Sequence, residues 1–295
     1  MLGSKASLAL YATACAYTNV LGLALPGSER IGAVLSKDYL SPRASFAGGI
    51  LLRIEPLGAS ITHGVASSDG NGYRKYLRDA IVSNGNEVDM VGNNPNGTME
   101  DNDNSGWPGL IIDDVHTKSN TDTPEYKPNL VLLNVGTNDA IQDVDISTAG
   151  DRLSSLLTDV YAQSPQTTVI LSGLIRNGNS TIQDRAVQIN AQYQSLAGSL
   201  QQEGKPIIWA NKFYSYDISR KANSSPGVTQ KQWSLIPSLL VQGPDGPQAS
   251  DLSSDGTHPV DAGYQKMANV WYTAIGAADA KGFLKAAEDN GLSDA

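Results

Sequence analysis

Cysteine is all but missing from this 295-residue chain, with Cys15 the only one. Zinc sites are built from clustered Cys and His. The chain has three histidines, His63, His116 and His258, too far apart in sequence to form such a cluster locally. No metal and no cofactor are expected. Positive charge is also in short supply, since 21 Lys and Arg against 30 Asp and Glu leave a formal charge of -9. Such a surface repels nucleic acid phosphates and anionic lipid headgroups, so neither is an expected partner. There is no G-x-x-x-x-G-K-[ST] phosphate loop and no internal repeat. Residues 101–106 begin like a calcium loop, but Ile112 stands where the closing Glu belongs. Asp113 and Asp114 are adjacent, so they do not face each other as a glycosidase pair must.

One apolar stretch, 6–24, follows a lone positive charge at Lys5. Thr13, Thr18 and Asn19 interrupt it, which argues against a spanning helix of about 20 apolar residues. Gly22 and Ala24 supply small residues at the spacing of a cleavage site. Residues 1–24 therefore read as a secretory signal and the chain as secreted and extracellular; separately, a monomer is expected. Cys15 would leave with the signal, so no disulfide is expected. Residues 25–46 show no period and read as a linker. Three sequons, at Asn96, Asn179 and Asn223, are potential glycosylation acceptors.

A single domain is expected over 47–285, with 286–295 as a tail. Strand patterns at 50–57, 87–91, 130–135, 168–172 and 206–210 alternate with amphipathic stretches at 73–83, 111–117, 149–163, 182–202 and 262–278. That alternation implies a parallel sheet with helices on both faces. Residues 213–252, rich in Ser, Pro, Gly and Gln, lack a period apart from 233–241 and read as a long surface excursion.

Four short segments carry the chemistry. Ser60, in Gly58-Ala59-Ser60-Ile61-Thr62, follows the first strand, where a hydroxyl becomes a nucleophile if a base takes its proton. An N-cap serine is the plainer reading of such a position. His258, in Asp255-Gly256-Thr257-His258-Pro259, is the expected base. The short turn lets Asp255 meet one ring nitrogen while the other faces Ser60. His116 reads as a helix-surface residue, and His63 as a pocket-lining one. The backbone amides of Ser60 and Gly106 and the carboxamide of Asn138 are expected to form an oxyanion hole. A turn glycine and an Asx turn are the plainer readings of the last two. Ligands in open α/β sheets bind beyond the carboxyl ends of the strands, and Ser60, Gly106 and Asn138 all fall there.

These segments resemble the four motif blocks of the SGNH (GDSL-like) hydrolases. Ser60 matches the first block and Gly106, in Asn104-x-Gly106-x-x-Gly109, the second. Asn138, in Gly136-x-Asn138-Asp139, matches the third, and Asp255-x-x-His258 the last. The resemblance covers about 50–267. It implies a three-layer α/β/α sandwich around a central five-stranded parallel sheet of the flavodoxin-like kind. Residues 67–74 and 256–264 look like the secreted fungal branch similar to carbohydrate esterase family 3, which includes acetylxylan esterases. The usual Gly-Asp-Ser of the first block is Gly58-Ala59-Ser60 here.

The expected activity is hydrolysis of carboxylic esters by Ser-His-Asp covalent catalysis. The expected partner is an acetylated polysaccharide, such as xylan, or another ester substrate. A lipase or lysophospholipase acting on longer acyl chains is the alternative among enzymes. A catalytically inactive carbohydrate-binding protein, with Trp107, Trp209, Trp233 and Trp271 as stacking platforms, is the alternative outside them.

Overall fold

The structure is a computed structural model and describes residues 45–210 and 246–293. The expected signal, nearly all of the linker, the 233–241 run and most of the 213–252 excursion lie outside the described residues.

Strand β1 (Leu52–Gly58) is followed by a one-turn helix α1 (Ser60–His63) and by α2 (Tyr73–Ser83). Next come β2 (Val88–Met90), a two-residue strand β3 (Ser105–Gly106) and α3 (Ile112–Tyr126). The chain continues through β4 (Leu130–Asn134), α4 (Thr137–Gln142), α5 (Ala149–Gln163), β5 (Thr168–Ser172), α6 (Ser180–Gln202) and β6 (Ile207–Ala210). Helix α7 (Asp261–Ala280) closes the series.

The strands pair in the order β2-β1-β4-β5-β6, all parallel, and β3 adds a sixth by pairing with the end of β1. Five of these six are the expected strands. β3 is too short to show a period, so it was not expected.

Period-two alternation splits each strand between two cores. Leu130 and Leu132 face one core with Tyr73, Leu77 and Ile81 of α2 and Tyr264, Met267 and Trp271 of α7. Val131 and Leu133 face the other with Val115 of α3, Leu153 and Leu157 of α5, and Ile189 and Tyr193 of α6. Both faces of the sheet are thus covered, which explains why β4 is apolar almost throughout. Burying each such Val or Leu stabilises the fold by about 1.5–3 kcal/mol.

The chain leaves β1 toward β2 on one side and returns to β4 on the other. Connections from β1 and β4 therefore diverge, opening a crevice between their carboxyl ends. Ser60 follows β1 and Asn138 follows β4, so both stand at that crevice.

Candidate active site

The turn out of β1 is compressed. A Cβ on Gly58 would run into the backbone carbonyl of Asn134 and the hydroxyl of Thr62, so only glycine lets β1 pass that close to β4. Ser60 is then the first residue of α1, after Ala59 at the N-cap. The first amide of a helix has no carbonyl of its own helix to bond. The N-cap reading expected as the plain alternative therefore falls one residue earlier.

His258 sits in a loop closed on itself. Leu252 and Pro259 form an antiparallel bridge, Ser253 N donates to His258 O (2.8 Å), and Val260 N donates to Asp251 O (2.8 Å). This closure fixes the imidazole just before α7. His258 Nε2 lies 2.8 Å from Ser60 Oγ, and His258 Nδ1 lies 2.6 Å from Asp255 Oδ2. With a carboxylate at Nδ1, that nitrogen carries the proton and Nε2 offers its lone pair to the serine.

The other oxygen of Asp255 accepts from Ser253 Oγ (2.7 Å), Thr257 N (2.8 Å) and His258 N (3.0 Å). Partial burial alone would raise the pKa of this carboxyl. The hydrogen bonds from the His258 ring, the two amides and the Ser253 hydroxyl outweigh it and hold Asp255 well below the usual carboxylate range. Asp255 is thus ionised at any pH above the ordinary carboxylate range.

The expected oxyanion donors are less uniform. Asn138 Nδ2 donates to Leu110 O (2.8 Å), which uses one of its two hydrogens and leaves the second for a ligand. Gly106 differs from the expectation. Its N–H donates to Asn104 Oδ1 (2.9 Å), an Asx-type bond two residues back. Service at an oxyanion requires that bond to be shared or exchanged. The glycine itself is demanded by packing, because a Cβ there would lie 2.5 Å from His63 N.

Asp139 and Arg152 support this edge of the crevice. Buried Asp139 accepts from Ile112 N (3.1 Å) and from Arg152 Nη1 (2.6 Å). Burial raises its pKa, and the Arg152 bonds oppose that shift. Asn138 and Asp139 together tie α4 to the start of α3. The second and third motif segments therefore move as one piece.

Arg74 was not assigned a role from the sequence. It is fully buried and donates to four carbonyls: His63 (3.1 Å), Gly70 (3.0 Å), Asn96 (2.7 Å) and Asn102 (2.8 Å). A signal was available, because Arg74 interrupts the apolar face of α2 formed by Tyr73, Leu77 and Ile81. The other histidines stand apart from the serine. The pKa of His63 is held below its ordinary value by burial and then by Arg74, which favours the neutral ring beside Gly106. His116 bonds Asp159 (2.7 Å) and links α3 to α5. The calcium-like segment is used internally, since Asp101 accepts from Arg78 Nε (2.6 Å) and Met90 N (3.1 Å).

A family model described as GDSL-like lipase/acylhydrolase matches residues 57–266. The chain belongs to this family. All of the expected site residues fall within the matched span of the GDSL-like domain. A multidomain esterase of Ruminococcus flavefaciens is 29% identical over 303 residues, covering 91% of this chain and 34% of that protein. The chain thus spans about a third of that relative's length. Among solved structures, a family 3 carbohydrate esterase of Clostridium thermocellum has a TM-score of 0.60 at 22% identity, covering 78% of this chain and 98% of its own. A family 3 carbohydrate esterase of Talaromyces cellulolyticus has a TM-score of 0.57 at 19% identity, covering 78% and 99% respectively. At those identities the structural likeness speaks for the fold.

Proposed function

We propose that this GDSL-like domain is a secreted serine esterase that removes O-acetyl groups from a plant polysaccharide such as xylan. The observation that carries the reading is the continuous relay Ser60–His258–Asp255, with links of 2.8 and 2.6 Å. Ser60 Oγ attacks the ester carbonyl while His258 Nε2 takes its proton. The resulting oxyanion accepts hydrogen bonds from the Ser60 amide and the second hydrogen of Asn138 Nδ2, joined by Gly106 N if its bond to Asn104 is exchanged. His258 then gives the proton to the departing sugar oxygen, leaving an acetyl-serine. A water loses a proton to His258, attacks that ester and releases acetate, and Ser60 recovers its proton. Asp255 holds the ring in the tautomer needed at each step and offsets the charge of the imidazolium.

Family membership and the carbohydrate esterase neighbours support an ester substrate on a sugar. The leader-like sequence at 1–24 supports export. The test is a series of p-nitrophenyl esters from acetate to decanoate, followed by acetylated xylan. Highest kcat/KM on acetate, with acetate released from xylan, is the expected result. A preference for chains of eight carbons or more would replace this reading with the lipase alternative.

A further inference from the structure

We propose that Arg176 is a specificity residue that receives a carboxylate carried by the substrate next to the ester being cleaved. The proposal rests on the esterase reading and adds the kind of ester preferred.

Six arginines lie among the described residues, and five of them are engaged. Arg53 pairs with Asp89 (3.4 Å), Arg78 with Asp101 (2.6 Å), Arg152 with Asp139 (2.6 Å) and Arg185 with Asp143 (2.7 Å). Arg74 is held by its four carbonyls. Arg176, half-buried, has neither a hydrogen bond nor an ion pair to any described residue, and its Nε is shielded from water without an acceptor among them. An unsatisfied buried donor costs free energy unless something else answers it. Acidic residues outnumber basic ones in this chain, 30 to 21, so a missing partner is not for want of carboxylates.

The position of Arg176 suggests what answers it. It follows β5 and lines a narrow cleft together with Thr137, Asn177 and Thr257. Thr137 immediately precedes Asn138, and Thr257 immediately precedes His258. Asn177 Nδ2 donates to Thr257 Oγ1 (3.0 Å), and Gly178 N donates to Gly256 O (2.6 Å). The segment bearing Arg176 is therefore docked on the loop that bears the base. A guanidinium offers a planar fork of donors that matches a carboxylate in two-point geometry. Polyanions remain disfavoured by the acidic surface as a whole. A single fork on the segment docked against the base-bearing loop selects an isolated carboxylate instead. That group belongs either to the acid portion, as in the half-ester of a dicarboxylic acid, or to the sugar, as in an acetylated uronic acid.

The experiment compares wild type with Arg176→Gln and Arg176→Lys. p-Nitrophenyl acetate serves as the neutral reference, and two pairs separate the sources. p-Nitrophenyl hemisuccinate against p-nitrophenyl butyrate tests the acid side. An acetylated methyl glucuronoside against the acetylated methyl glucoside tests the sugar side. The expected result is a wild-type preference for the charged member of one pair. Arg176→Gln should then lower kcat/KM on that member about 10- to 100-fold, mainly through KM, and leave p-nitrophenyl acetate within about twofold. Arg176→Lys should recover part of the loss. Wild type showing no charge preference in either pair would overturn the proposal, as would equal losses on charged and neutral members. Wild type failing to cleave p-nitrophenyl acetate would instead overturn the esterase reading, and this proposal with it.

Discussion

Arg74 donates to the carbonyl of His63, the last residue of the single-turn helix that Ser60 begins (3.1 Å). The same guanidinium holds Gly70, Asn96 and Asn102, so one side chain links the serine's helix to two loops. Arg74→Met removes a donor from each of four carbonyls, of which those of His63, Gly70 and Asn102 keep one from Asn96, and breaks the buried hub that joins them. A loss of about 3 kcal/mol or more in stability is expected from such a break in a buried network. Arg74→Lys should recover only part of it, because an ammonium cannot span four acceptors in a plane. Thermal unfolding and kcat on p-nitrophenyl acetate, measured together, check this. Unchanged unfolding in Arg74→Met would remove Arg74 from the support of the site.

Asn138→Ala should lower kcat about 10²–10³-fold while leaving KM nearly unchanged, because the lost donor acts on charge that develops during attack. Its bond to Leu110 O also disappears, so a stability loss of about 1 kcal/mol should accompany it. A change confined to KM would place Asn138 outside the oxyanion contacts.

Glu55 gives the fold a pH dependence. It is wholly buried on β1, and burial pushes its carboxyl up to about 8, against hydrogen bonds from Thr123 and Ser105. The unfolded chain releases this proton near pH 4.3. Between those two values the folded state binds one more proton than the unfolded state, so stability falls as pH rises from about 4.3 to 8 and is flat beyond. Glu55→Gln should remove that slope and raise Tm most at pH 8, by about 2–4 °C for each kcal/mol recovered. Melting curves from pH 4 to 9 measure it. An identical slope in the variant would show that Glu55 is ionised in the folded state.

Asp255 has the opposite sign. Its folded-state acidity constant is depressed, so its contribution to stability is complete above about pH 4 and fades as pH drops below that. Asp255→Asn should cut kcat about 10²–10⁴-fold by spoiling the His258 tautomer. It should also flatten acid unfolding below pH 4. Retention of more than a tenth of wild-type kcat would mean that His258 is oriented by other groups.

The sheet was legible because its strands are buried on both faces and read as continuous apolar runs, as in 130–134. Helices α2 and α5 match the expected bounds because their apolar residues keep one face. Helix α3 runs to Tyr126, well past the expected end at 117, because its later buried residues are Ser119, Asp122 and Thr123. These buried polar residues, of which Thr123 bonds Glu55, leave no hydrophobic period to read. Helices α1 and α4, of four and six residues, are shorter than any periodicity can reveal. Segment spacing led to the Ser60–His258–Asp255 geometry. It could not reveal that Asn104 would occupy the Gly106 amide, which depends on one rotamer. Nor could it single out Arg176, whose lack of a partner among the described residues is a property of the folded surroundings.

The most direct test compares p-nitrophenyl acetate hydrolysis by wild type and Ser60→Ala, with unfolding of both measured in parallel. Ser60 Oγ makes its bond to His258 at the edge of the core, so the variant should melt close to wild type. Its kcat should drop by about 10⁴-fold or more. Wild-type turnover in a correctly folded Ser60→Ala protein would contradict the assignment of the nucleophile and with it the whole mechanism.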